Sequence, residues 1–250
     1  FREGNVPASA NAVSFLQKCF DAMPYGKYVG YLRSDSAFYQ ARVINFCFEH
    51  NTFFTITADQ DKAVKETIKA IKEDAWQPYQ GDRQIAETIH TMNGTKEAFR
   101  LIVIRWPRLQ AELLDPSPYF YHAIATNREE DAEEVIKLHN QRGEAENYIK
   151  ELKNGFGMEW MPCGGSYANA IFFRIGVIAY NLFLAMKLLA LPLWYRSFTI
   201  STARWRLYQV AGAVVRHAHQ LLLKLAAPMN KVILFLKFRL RCYELAYGWP

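Results

Sequence analysis

The chain has no two cysteines close together in sequence. Its four, Cys19, Cys47, Cys163 and Cys242, are scattered along 250 residues. That excludes a zinc ribbon or a CxxC redox centre and suits reduced thiols in a cytoplasm. An uninterrupted apolar span is also missing. The most apolar run, NAIFFRIGVIAYNLFLAMKLLALPLW, is broken by Arg174, Asn181 and Lys187. Charges and amides are costly in hydrocarbon, so 169–191 reads as a buried helix and not as a membrane span. Acids nearly vanish near the end. From Lys187 onward ten Lys and Arg stand against one acid, Glu244, whereas the residues before it hold 20 basic and 23 acidic. The basic end suits a polyanion. The first residue is Phe1, not Met, and FREGNVPASANA shows no signal-peptide pattern. It reads as a piece of a longer protein.

What is present suits a substantial core: 51% of residues are apolar and 15% aromatic. That is enough for one large domain, or one domain with appendages. Residues 9–22 have a helical pattern, with Val13, Leu16, Cys19 and Phe20 on one side and Pro24 and Gly26 beyond. Residues 28–35 read as a strand ending on Asp35. A second helix follows over 36–51, then a β-branched and aromatic strand over 52–58. This order favours parallel strands with helices between them. Residues 59–118 hold Pro78, Pro107, Pro116 and Pro118. Two alternating runs there, QIAETIHTM and AFRLIVIRW, flank Asn93-Gly94-Thr95, a strong hairpin signal. Residues 119–126 form another strand. Beyond Pro192 the chain is expected to continue as basic helices carrying RWR, VVRHAHQ and KFRLR. The expected organisation is therefore a core over 1–58 and 119–191, a β-rich insertion over 59–118, and a basic helical tail over 192–250.

The stretch HNQRGEAENYIKELKNGFG concentrates chemistry. A helix is expected from Asp131, which can cap it, with Glu133 and Glu134 in the first turn and Gly155 and Gly157 as a stop. At about 100° per residue, with His139 at zero, Arg142 falls near 300°, Glu146 near 340° and Lys153 near 320°. The four share an arc of about 60° beside an apolar stripe of Leu138, Ile149 and Leu152. A solvated face laced with ion pairs would carry such residues too. The spacing, however, keeps one line for about 21 Å along the edge of the core, where a carboxylate needs partners.

His139-x-x-Arg142-x-x-x-Glu146-x(6)-Lys153 resembles the Tyr-x-x-Arg-x-x-x-Glu-x(6)-Lys signature of a large group of bacterial insertion-sequence transposases with a DDE catalytic domain. REGN, LRSDSAF and the downstream AYNLF are similar to that group as well. The resemblance covers roughly residues 1–190. The departure is His139 where the group carries Tyr. The resemblance implies an α/β fold with a ribonuclease-H-like core. Asp35 would match the second catalytic carboxylate and Glu146 the third. The first would lie on a strand upstream of Phe1, so that the first strands of the core are missing and this piece is inactive alone.

The implied reaction is metal-dependent phosphodiester cleavage and strand transfer at transposon ends. Two Mg²⁺ about 3.5–4 Å apart would stabilise the attacking and leaving oxygens, with Mn²⁺ as a substitute. Mg²⁺ prefers hard carboxylate oxygen, which Asp35 and Glu146 would supply. His139, Arg142, Lys150 and Lys153 would contact DNA phosphates, Arg bidentately. The implied partners are transposon-end and target DNA and a second copy of the chain in the DNA complex, in the cytoplasm and away from membranes. Two other readings stay open: a ribonuclease-H-like nuclease without strand transfer, and a membrane-associated non-enzyme built on 169–191.

Other candidates have simpler readings. Trp76 and Trp106 could stack on an unpaired base, but hydrophobic packing suffices. His217 and His219 are about 200° apart on a helix, too far to share a metal. Cys163-Gly164-Gly165-Ser166 reads as a turn without an activating base. Asp59 and Asp61 could mimic metal ligands, although capping the helix after them is simpler.

Overall fold

The computed structural model describes residues 6–7, 9–108 and 117–248, with the Glu144 side chain excepted. Residues 2–5, which carry REGN, and Pro116 lie outside the described residues. The chain divides into two compact units, Arg2–Gly143 and Glu144–Pro250.

The first unit is built on a six-stranded mixed sheet. Its elements in chain order are α1 (Ala12–Asp21), β1 (Tyr31–Ser34), a 3-10 turn (Ser36–Phe38), α2 (Ala41–Glu49), β2 (Phe53–Thr57), α3 (Lys62–Lys69), β3 (Gln77–Tyr79), β4 (Arg83–His90), β5 (Phe99–Pro107), β6 (Tyr119–Thr126) and α4 (Ala132–Asn140). The strand order is β1-β2-β6-β5-β4-β3. β1 and β2 are parallel, joined by α2 as the α-β-α-β order requires, and every other pair is antiparallel. β5 explains the layering. Leu101 and Val103 pack with Phe54, Ile56, Val43 and Val64 on one face, while Ile102 and Ile104 pack with Val135 and Ile136 of α4 on the other. A strand covered on both faces reads as a continuous apolar run, here LIVI. Leu101, Ile102 and Val103 are fully buried, each contributing about 1.5–3 kcal/mol of transfer free energy.

Three expectations take a more definite form in the structure. The Asn93-Gly94 hairpin forms, and its strands join the main sheet: β5 pairs with β6 over eight positions, and β6 pairs with β2. The register of the alternating runs makes them part of the main sheet. The helix expected from Ser36 begins at Ala41, because Asp35 and Ser36 are spent on the 3-10 turn. The long helix expected from Asp131 is two helices, α4 and α5 (Gly143–Phe156). In a continuous helix the Leu138 carbonyl would accept from the Arg142 amide. Instead Arg33 Nη1 takes that carbonyl at 2.9 Å, and the Arg142 amide turns to the His139 carbonyl at 2.9 Å. Gly143, a poor helix former, follows at the break.

The second unit holds the rest of α5, then α6 (Ser166–Leu189), a 3-10 turn (Leu193–Ser197), α7 (Ile200–Tyr208), β7 (Ala211–His217), β8 (Gln220–Ala226) and α8 (Met229–Tyr247). Its core gathers Phe183, Leu191, Tyr195, Ile200, Ala203 and Leu207. α6 is not the buried helix expected. Only Gly176, Tyr180, Phe183 and Lys187 are buried, a stripe at spacings of four, three and four, while Ile171, Ile175, Ile178 and Leu182 are exposed. Among the described residues it is the one helix long and apolar enough to cross a membrane. The tail is not wholly helical either. β7 and β8 pair as a hairpin whose turn holds Ala218 and His219 at positive φ. VVRHAHQ therefore spans a hairpin turn, and the β-branched Val214 and Val215 favour the strand.

Candidate functional site

Asp35 directly follows β1, at the carboxyl end of the parallel pair, where open α/β sheets place ligands. Its side chain is exposed and accepts the Ala37 amide at 3.2 Å, which starts the 3-10 turn and fixes the carboxylate at the strand end. Two residues earlier, within β1, stands Arg33. Its guanidinium donates to the Leu138 carbonyl at 2.9 Å and to Gln141 Oε1 at 3.2 Å. The strand that ends at Asp35 is thus tied to the last turn of α4. Sequence reasoning missed this role for Arg33, although the period-two spacing Arg33–Asp35 was a usable signal.

His139 is 2% exposed. Its Nδ1 pairs with Thr55 Oγ1 and its Nε2 with Thr57 Oγ1, each at 3.0 Å, and Tyr31 Oη meets the same Thr55 hydroxyl at 2.8 Å. Burial pushes its pKa down to about 4, helped by the neighbouring His122, Arg142 and Arg33. A neutral imidazole with both nitrogens engaged offers no donor to a phosphate. In this structure the ring pins α4 to β2 instead of facing outward. Arg142 lies in the break after α4, partly exposed, and does not share a helix face with Glu146.

Glu146, Lys150 and Lys153 do lie on one helix, α5, at offsets of zero, four and seven, and all three are exposed. Glu151 holds α5 in its unit. It accepts the Ile200 amide at 2.6 Å and the Tyr180 hydroxyl at 3.1 Å. Burial and that carboxylate push the Tyr180 phenol up to about 12. Tyr180 and Phe183 belong to AYNLF, so that motif serves to seat α6 against α5, with Phe156 edge-on to both rings. Asp35 belongs to the first unit and Glu146 to the second. Among the described residues no three His, Cys, Asp or Glu side chains cluster closely enough to hold a metal.

The remaining candidates have structural explanations. Asp61 caps α3 through the Val64 amide at 2.9 Å. Trp76 is buried, with the Arg105 guanidinium 4.1 Å from its ring centre, and Trp106 stacks on Phe120. Cys163 sits in a bend closed by Asn169, whose side chain bonds both its amide and its carbonyl.

No curated protein matches the chain. The family model described as Transposase DDE domain group 1 matches residues 1–244, which take in the first unit, most of the second and every candidate site residue discussed above. The chain belongs to the DDE transposases of that group.

Proposed function

We propose that this chain carries the second and third carboxylates of a transposase catalytic site, Asp35 and Glu146, on a ribonuclease-H-like core, and that it cuts DNA at transposon ends and joins it to target DNA. The observation that carries this is the family match over 1–244, within which Asp35 stands at a strand end and Glu146 on the exposed face of α5. The six-stranded mixed sheet is compatible with that core.

DDE transposases depend on divalent metal, and the residues present fit a hard cation. Both candidate ligands are exposed carboxylates, and oxygen is the donor Mg²⁺ prefers. When bound, a pair of Mg²⁺ or Mn²⁺ ions supplies charge to the attacking and leaving oxygens of the phosphodiester. Asp35 is oriented for this task by its place directly after β1 and by the Ala37 amide. Lys150 and Lys153 follow Glu146 along one face of α5, so a DNA strand crossing that face would meet carboxylate first and ammonium next. Arg142, at the break before α5, adds a bidentate donor for a phosphate. The partners are end and target DNA, a second copy of the chain in the DNA complex, and a cytoplasmic setting.

The test is cleavage and joining of a duplex carrying the element's own inverted repeat, with Mg²⁺, by the transposase. Asp35→Ala and Glu146→Ala should each abolish both steps while leaving DNA affinity nearly unchanged. Cleavage without joining in the unaltered protein would favour a nuclease that lacks strand transfer. Retention of both steps in Glu146→Ala would refute the assignment.

A further inference from the structure

Within the second unit, a cavity of about 540 Å³ opens between α5 and the start of α7. It is lined by Lys150, Glu151, Lys187, Arg196, Ser197 and Ser201, among others. Lys187 is the unusual member. It is 7% exposed, its Nζ donates to the carbonyls of Phe198 at 2.7 Å and Arg196 at 3.3 Å, and it lies 5.1 Å from the centre of the Phe183 ring. An ammonium has three N–H donors, and among the described residues no carboxylate pairs with this one. A buried cation compensated only by carbonyl dipoles is costly and is ordinarily matched by an anion.

The neighbouring charges sharpen the point. Lys150 is exposed and has no ion-pair partner among the described residues, and Arg196 makes only a long contact, at 3.5 Å, to the Leu188 carbonyl. The one acid in the lining, Glu151, has its oxygens engaged by the Ile200 amide and the Tyr180 hydroxyl. The cavity is therefore lined by three cations against one acid whose oxygens are already engaged; of its two serines, Ser197 donates its hydroxyl to the Trp194 carbonyl at 3.2 Å and Ser201 stands at the start of α7. The first turn of α7 contributes little, because Thr199 and Glu151 already cap it.

We infer that this cavity is a phosphate-binding site, and that it takes a backbone phosphate of DNA lying along α5. The inference rests on the proposed use of α5, because Lys150 stands one turn beyond Glu146 on the same helix. It adds Lys187, Arg196 and Ser201 as a seat that neither the signature nor the family match assigns. Lys187 anchors the anion from below, while Arg196 and Lys150 close on it from the rim.

The experiment uses the full chain, unaltered and as Lys187→Met, Arg196→Ala and Lys150→Ala. Each is titrated with a short duplex of arbitrary sequence at several salt concentrations, and separately with inorganic phosphate. Each substitution should weaken duplex binding about tenfold at low salt and reduce the salt slope by about one. If Lys187→Met does not fold, the two exposed substitutions decide the matter. Phosphate binding that the same substitutions remove would show that the bare anion suffices. Substitution-sensitive duplex binding without phosphate binding would show that the backbone is required. Duplex binding and salt slope unchanged in both Arg196→Ala and Lys150→Ala would overturn the inference. Mn²⁺ binding by Glu146→Gln, measured in parallel, separates the two claims. If that variant keeps its Mn²⁺, the catalytic reading fails while the cavity result stands.

Discussion

His139 Nε2 and Thr57 Oγ1 meet at 3.0 Å, and through that contact the last turn of α4 is fastened to the strand beside the one that ends at Asp35. The ring is buried and its pKa lies near 4, well below that of a solvated histidine. As pH falls, the unfolded chain takes up this proton first, near its ordinary pKa of about 6.5. Stability is then complete above that value and is lost progressively down to about pH 4, by on the order of 3 kcal/mol. His122 and His90, also lowered by burial, act in the same direction. Urea midpoints measured from pH 7 to pH 4.5 should fall in the unaltered chain and fall less in His139→Gln. Equal pH dependence in the two would show that His139 is solvated.

Arg105 and Glu73 form an ion pair of unequal members. The Arg105 side chain is 4% exposed and that of Glu73 is 75% exposed. The guanidinium lies 4.1 Å from the Trp76 ring centre and 4.3 Å from that of Tyr119. Arg105→Ala should therefore cost about 2 kcal/mol, through lost stacking and a void between two rings. Glu73→Ala should lower the melting temperature less but measurably: the exposed carboxylate itself contributes little, yet its loss leaves the buried guanidinium with Gln84 as its remaining side-chain acceptor among the described residues. Comparable losses in the two variants would contradict this ordering.

Two glycines test helix packing in the second unit. Ala is normally the better helix former by about 1 kcal/mol. A Cβ on Gly155, however, would overlap Ile200 Cγ2, on a stiff β-branched side chain at the start of α7. A Cβ on Gly176 would overlap Met158, which has more torsions with which to move aside. Gly155→Ala should destabilise by about 1–3 kcal/mol, and Gly176→Ala by clearly less. Thermal melts of the two variants provide the comparison.

The end of the chain is predicted to bind DNA without sequence preference. Arg216 and Lys224 lie on the β7–β8 hairpin, and Lys237 and Arg239 on α8. Removing the region is a poor test, because Tyr195, Ile200, Ala203 and Leu207 supply the core of the unit. Neutralising these four charges together should lower the salt slope of binding to arbitrary duplex by about four. An unchanged slope would place the DNA elsewhere.

Much of the fold was legible in the sequence because its signals are local. Asn93-Gly94 between alternating runs gave the hairpin, and Asp61 gave the cap of α3. The misreadings share a long-range cause. Nothing between Asp131 and Lys153 reveals that Arg33, more than a hundred residues earlier, takes the Leu138 carbonyl and breaks the helix there. The charged arc assumed unbroken geometry, so it placed His139 beside Glu146, when in fact its ring turns inward to two threonines of β2. Strand pairing is equally non-local. The hairpin was visible, but its joining to β6 was not. The exposed face of α6 was hidden by composition, since an apolar run does not say which side it buries.

The central claim is that Asp35 and Glu146 serve one metal site, and the most direct measurement is a coupling experiment. Mn²⁺ affinity would be determined in the presence of duplex DNA for the unaltered chain, Asp35→Ala, Glu146→Ala and the double variant. If both carboxylates hold a shared ion, each single substitution removes most of the affinity and the double variant loses no more than either alone. Losses that simply add, or a Glu146→Ala chain that binds Mn²⁺ as well as the unaltered one, would contradict the claim.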